Sequence, residues 1–174
     1  MKAIFIVTGL PNSGRDTFTK IIRKELVRAY NLSYTHFLNE KMKSISPKEP
    51  TKRQEEYLKK IKDLLVYSSI ITSAIIDKIK QVDNPKTIFF VKTNNPEDIT
   101  IIRRAFPKKV KVVYINRNLK WNYINFLPSD YKYDYKIDNT GSIADFEKNI
   151  QTFIMKKVPS RMFFDKPTFD INHE

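Results

Sequence analysis

The chain has 174 residues, 41% of them hydrophobic and 13% aromatic, which suits one domain with a sizeable core and excludes a disordered chain. Cysteine is absent, which excludes disulfides and cysteine-based zinc sites, and the two histidines, His36 and His173, lie too far apart to suggest a His-built metal site or a Ser-His triad. Thirty-two Lys and Arg against nineteen Asp and Glu leave a net charge of +13, which favours an anionic partner (a nucleotide or a nucleic acid, ahead of a membrane surface), unless it is only a solvated basic surface.

Residues 3–8 form a continuous β-branched and aromatic run, the mark of a central parallel strand rather than of a signal peptide. With no cysteine and no export signal, the expected location is cytoplasmic. Residues 14–30 read as a helix, with Phe18, Ile21, Ile22, Leu26 and Ala29 at three- and four-residue steps. Residues 33–38 are a second strand candidate, and residues 39–52, with Pro47 and Pro50, read as a loop or short helix. Residues 53–80 are helical, with Tyr57, Leu58, Ile61, Leu64, Leu65 and Ser68 on one face and a break near Ser68-Ser69. A third strand is expected over 87–91, a helix from Pro96 to about Phe106, a fourth strand over 110–115 and a fifth over 135–137. Ser142 caps a last helix running to about Lys157, with Asp145 three residues on. Strands alternating with helices predict a three-layer α/β/α fold with about five parallel strands and ligands beyond their carboxyl ends. The expected division is a domain over 1–158 and a C-terminal tail over 159–174, whose Phe163, Phe164 and Phe169 pack back on the body.

Only three glycines occur, Gly9, Gly14 and Gly141, where an average chain of this length carries about 12. Two of them bracket Gly9-Leu-Pro-Asn-Ser-Gly14-Arg15-Asp16-Thr17, with the spacing of the phosphate-binding P-loop, G-x-x-x-x-G-K-[ST]. Glycines permit the tight turns by which backbone N–H groups, including those of Asn12 and Ser13, converge on phosphate oxygens, and the following helix adds its positive end. Arg15 stands in the lysine position; it keeps the charge but is planar and longer. Asp16 replaces the usual Ser or Thr, which makes Thr17 the candidate magnesium ligand. Asp16 has two readings. Beside a transferring phosphate it accepts a proton from an acceptor hydroxyl, or positions acceptor or metal; alternatively it is first-turn helix charge.

The loop, its strand and the Asp16-Thr17 pair resemble the small P-loop kinases that carry G-K-D-[ST], among them phage deoxynucleoside monophosphate kinases, phosphomevalonate kinases and related nucleotide kinases. Thr93-Asn94-Asn95-Pro96-Glu97-Asp98-Ile99 is similar to the D-x-R-x-P-E-E segment after their third strand, and Tyr133-Asp134-Tyr135-Lys136-Ile137-Asp138-Asn139-Thr140-Gly141-Ser142 to their late Y-D-Y-x-I-D-N-x-G-[ST] segment. The resemblance implies a P-loop nucleotide-kinase-like fold using ATP and magnesium, with Asn139 and Gly141 bordering the donor base. It places the acceptor between the loop and the 53–80 helix, near Tyr57, Lys60 and Tyr67. Two departures stand out: Lys92 replaces the family's Asp at the end of the third strand, and Asn94 replaces its Arg two positions on. Lys92 either neutralises phosphate in the metal's stead or marks a site that has lost turnover.

Residues 41–62 hold eight Lys or Arg and three acids, and residues 103–136 hold nine and two. In a P-loop kinase the first window lies near the acceptor and the second covers the donor phosphates. Arg117, just past the fourth strand, is the candidate for the arginine that closes over ATP, while Arg103 and Arg104 read as surface charge. Trp121, Tyr123, Phe126, Tyr131, Tyr133 and Tyr135 interleave with Lys120, Lys132 and Lys136. Such a stretch either stacks the bases of single-stranded nucleic acid or packs a lid or dimer contact. The expected function is therefore ATP-dependent phosphoryl transfer to a nucleoside monophosphate, with Arg15, Asp16 and Arg117 as catalytic residues. The alternatives are a kinase of hydroxymethylated bases in phage DNA, and a nucleotide- or nucleic-acid-binding protein without turnover.

Overall fold

A computed structural model describes residues 3–26, 28–66, 68–82, 84, 86–118 and 131–158. Its centre is β1 (Ala3–Thr8), flanked by β3 (Ile88–Lys92) and β4 (Val110–Asn116). The edges are β2 (Ala29–Ser33) and β5 (Tyr135–Asp138), giving a five-stranded sheet of order β2-β3-β1-β4-β5 in which every pairing is parallel. Strands buried on both faces are read as near-continuous apolar runs, and β1 and β3 have that composition. Alternate residues of one strand then serve opposite faces. Ile4, Ile6, Phe89, Val91 and Val112 join one core cluster; Phe5, Val7, Ile88, Phe90, Val113 and Ile115 join the other.

The first cluster packs under α2 (Tyr34–Ile45), α4 (Ile70–Gln81) and α5 (Pro96–Ala105) through Leu38, Ile71, Ile75, Ile79, Ile99 and Ile102. The second packs under α1 (Arg15–Glu25) and α6 (Ile143–Lys157) through Phe18, Ile22, Phe146, Ile150 and Phe153. The result is the expected three-layer sandwich. After β1 the chain moves to β2 on one side of the sheet, and after β3 it crosses to β4 on the other. The carboxyl ends of the adjacent strands β1 and β3 therefore flank the switch point where such sheets bind ligands.

Several elements differ from expectation. The first helix stops at Glu25, Leu26 caps it, and Ala29 enters β2. The second strand lies at 29–33, not 33–38, since pairing Ala29↔Ile88 through Ser33↔Lys92 joins it to the buried β3. Residues 34–38 instead open α2, whose Tyr34, Phe37, Leu38 and Met42 turn one face to the core at helical spacing. That helix consumes the expected loop as far as Ile45, ahead of Pro47 and Pro50. The 53–80 helix is two helices, α3 (Lys52–Val66) and α4, with the break near Ser68-Ser69 as anticipated. Of the expected apolar face of α3, Leu65 is buried while Tyr57, Ile61 and Leu64 are exposed. Ser142 and Asp145 form the capping box of α6, both hydrogen bonds being present. Residues 159–174, and with them the proposed tail, lie outside the described residues. No described helix is long and apolar enough to cross a membrane.

Candidate functional site

The segment between β1 and α1 makes a tight loop because two residues accept left-handed backbone geometry. Asn12 has φ 61° and Gly14 φ 100°, with Gly14 serving as the N-cap of α1. A Cβ on Gly14 would lie 2.5 Å from Asn139 Nδ2 and 3.1 Å from the Phe146 ring, so this glycine allows the loop to sit against the body of the protein. Gly9, where a Cβ would meet the Ser13 hydroxyl and the Ile115 carbonyl, does the same at the loop's start. The Ser13 amide donates to the Leu10 carbonyl at 3.0 Å, closing the turn. The buried Ser13 hydroxyl has no hydrogen-bond partner among the described residues.

Three distant segments converge on this loop. Asn139, following β5, donates from Nδ2 to the Ser13 carbonyl at 2.8 Å, and its backbone N–H donates to the Asn116 carbonyl at 2.7 Å. Arg117, following β4, donates from Nη1 to the Asn12 carbonyl at 2.9 Å. Asn94, following β3, accepts at Oδ1 from the Thr8 hydroxyl (2.9 Å), the Gly9 amide (3.2 Å) and Arg15 Nη1 (2.8 Å). Asn94 is itself held in place from behind. The buried Asp98 carboxylate accepts from the Thr72 hydroxyl and, at 2.8 Å, from the Thr93 hydroxyl, and Thr93 Oγ1 accepts from the Asn95 amide at 3.2 Å. Asn95 then caps α5 by accepting from the Glu97 amide.

At the mouth, Lys92 Nζ donates to the Asp16 carboxylate and forms an ion pair with it. The geometry follows from register: Lys92 ends β3 opposite Val7 of β1, beside the start of the loop. Asp16's side chain is 79% exposed and faces the open cleft, while Lys92's is 21% exposed. The Lys92 hydrogen bond, aided by the charges of Lys92, Arg15 and Lys20, holds the Asp16 carboxyl below its ordinary range and outweighs partial burial. Burial lowers the Arg15 pKa, with Asp16 opposing the shift. A cavity of about 310 Å³ opens here, lined among the described residues by Arg15, Asp16, Ser33, Thr35 and Lys92.

The structure thus brings together Gly9, Asn12, Ser13, Gly14, Arg15, Asp16, Arg117 and Asn139. Thr17 sits in the first turn of α1, and Gly141 lies apart from the loop beside Asp145. Tyr57 and Lys60 stack on each other on the exposed side of α3, and Tyr67 lies outside the described residues. The cavity instead opens toward the β2–α2 junction through Ser33 and Thr35, a consequence of the displaced second strand. Arg103 is not free surface charge: with Lys111 and the Val112 amide it binds Asp134. The described aromatics of the basic window pack inward, Tyr131 and Tyr133 against one core cluster and Tyr135 against the other. Trp121, Tyr123 and Phe126 lie outside the described residues. Asn94, the residue that gathers most donors, carried no sequence signal beyond its departure from the resembled motif.

The donor set fits nucleotide phosphates. An unpartnered buried hydroxyl, a glycine-built turn and the cations Arg15, Lys92 and Arg117 surround one loop at a helix N-terminus. It does not fit a protein-held magnesium ion, which takes one or two carboxylates besides phosphate. The nearby carboxylate, Asp16, is engaged by Lys92, and the Asn94 oxygen is saturated by three donors, which leaves only hydroxyls, those of Ser13 and Thr17. Among the described residues no three acidic or histidine side chains gather as a metal site.

No family model matches the chain, and no curated protein does. Solved structures do. A sugar kinase from Janibacter sp. HTCC2649 superposes with a TM-score of 0.53 at 10% identity, covering 89% of this chain and 94% of its own. The dephospho-CoA kinase of Campylobacter jejuni gives 0.53 at 17% identity over 88% and 96%, and TT1252 from Thermus thermophilus 0.53 at 12% over 90% and 98%. The chain therefore has the α/β fold of P-loop kinases, five parallel strands with the glycine loop after the first.

Proposed function

We propose that the protein transfers a phosphoryl group from ATP to a nucleotide acceptor, most simply a nucleoside monophosphate. The observation that carries this reading is the loop 9–14 between a buried strand and a helix, with Arg15, Lys92 and Arg117 around it and a cavity beside it. Backbone N–H groups of the loop and the helix end hold the donor phosphates. Arg15 and Lys92 stabilise charge on the transferring group, and Arg117 closes over it from the β4 side. Asp16, kept ionised and turned to the cavity, positions the acceptor, and receives the proton where the accepting group is a hydroxyl. Asn139, tied to the Ser13 carbonyl, and Gly141 border the donor base. Thr17, in the first turn of α1, supplies a hydroxyl on the phosphate side, and the acceptor enters past Ser33 and Thr35.

One observation favours a second reading, nucleotide binding without turnover: Lys92 already occupies the Asp16 carboxylate that transfer would use. Incubation with γ-labelled ATP, offering nucleoside monophosphates and hydroxymethylated DNA in parallel, separates the readings. Label is expected in a nucleoside diphosphate. Label in DNA alone replaces the mononucleotide by a polymer acceptor, and ATP binding with no transfer to any acceptor leaves the binding reading.

A further inference from the structure

The mouth of the loop departs from the usual way of screening nucleotide phosphates. Where a divalent cation would be held, the strand end supplies an ammonium group. Lys92 reaches Asp16 from the end of β3, and the position two residues on supplies the Asn94 amide, whose oxygen is turned inward to Thr8, Gly9 and Arg15. Around Asp16 stand Lys92, Arg15 and Lys20, all acting on its charge, and Arg117 approaches from the other side of the loop. Three cations thus act on one carboxylate, and that carboxylate is already paired with one of them.

We infer that this site takes nucleotide phosphates as the metal-free polyanion, with Lys92 and Arg15 supplying the positive charge that a divalent cation would otherwise bring. The inference rests on the reading of loop 9–17 as a nucleotide site. Its physical basis is charge balance. Magnesium chelated by ATP cancels two of the negative charges that Arg15, Lys92 and Arg117 would meet. The ion also adds a positive charge beside these side chains, with no unpaired carboxylate lining the cavity among the described residues to offset it. A site with a carboxylate in place of Lys92 has the opposite preference. The Lys92 ammonium has three N–H donors, so it holds Asp16 and still donates to a phosphate oxygen.

The test is a calorimetric titration of the full chain with ATP at matched ionic strength, once with excess magnesium and once with chelator, repeated on Lys92→Ala and Lys92→Asp. The wild type is expected to bind metal-free ATP about threefold or more tightly than the magnesium complex. Lys92→Ala should lose about tenfold in chelator and lose less with magnesium. Lys92→Asp should reverse the order and bind the magnesium complex more tightly. Circular dichroism shows whether each variant is folded, and the wild-type comparison stands without them. Wild-type affinity that falls when magnesium is removed overturns the inference and leaves the nucleotide reading intact. Absence of ATP binding in both buffers overturns both.

Discussion

Gly14→Ala should destabilise the protein before any ligand is considered. The residue sits at φ 100°, ψ 16° as the N-cap of α1. An L-residue held in left-handed geometry costs about 1–2 kcal/mol. The new methyl would also lie 2.5 Å from Asn139 Nδ2, inside any tolerable separation, so the Asn139 bond to the Ser13 carbonyl must break or lengthen. Losing that bond adds about 1 kcal/mol, for a total of about 2–3 kcal/mol. In a chain of this size such a loss lowers Tm by about 4–12 °C. Urea denaturation of Gly14→Ala, Asn139→Ala and the double variant measures it and locates the strain. Since both substitutions remove the same bond, and the second also makes room for the methyl, the double variant should be more stable than the sum of singles by about 0.5 kcal/mol or more. A Gly14→Ala loss below about 1 kcal/mol, or strictly additive effects, would refute the close approach of loop and Asn139. It follows that loss of ATP binding in a bulkier variant such as Gly14→Val reports on the fold as much as on phosphate.

Asn94→Ala strips one acceptor from three donors, and should cost about 1–3 kcal/mol by urea denaturation while weakening ATP binding, since Arg15 and the Gly9 amide lose their common anchor. Asp16→Asn should leave ATP bound but cut phosphoryl transfer by roughly 100-fold, read by γ-label transfer; comparable transfer would return Asp16 to a helix-terminus role. For Asp134, burial raises the carboxyl pKa, but the Val112 amide, Lys111 and Arg103 outweigh it and the net shift is downward. A carboxyl whose folded pKa lies below its unfolded one adds stability above the unfolded pKa, and that contribution fades as pH falls through the folded pKa. The urea midpoint gap between wild type and Asp134→Asn should therefore be full at neutral pH and shrink in acid; a gap that widens in acid would contradict these contacts.

The parts of the fold legible in the sequence are those fixed by local chemistry. The buried run of β1, Pro96 at the start of α5, and Ser142 with Asp145 each announce themselves within a few residues. The misplaced element was the second strand. Residues 33–38 alternate passably, but the edge strand is selected by pairing with β3, far along the chain, and Tyr34, Phe37 and Leu38 serve the core equally well on a helix. The same distinction runs through the site. Gly9 and Gly14 were legible because the backbone demands them. Asn94 was not, because its partners Thr8, Gly9 and Arg15 stand 86, 85 and 79 positions away. The pairing of Lys92 with Asp16, 76 positions apart, is likewise a product of strand register rather than of any local motif.

Hydrogen–deuterium exchange with and without ATP, run in chelator, tests the placement of the nucleotide most directly. Backbone N–H groups of the loop that bind phosphate become protected, so peptides covering residues 9–17 should slow on ATP addition, with smaller protection around Lys92 and Arg117. ATP binding that protects another surface and leaves residues 9–17 unchanged would contradict the account.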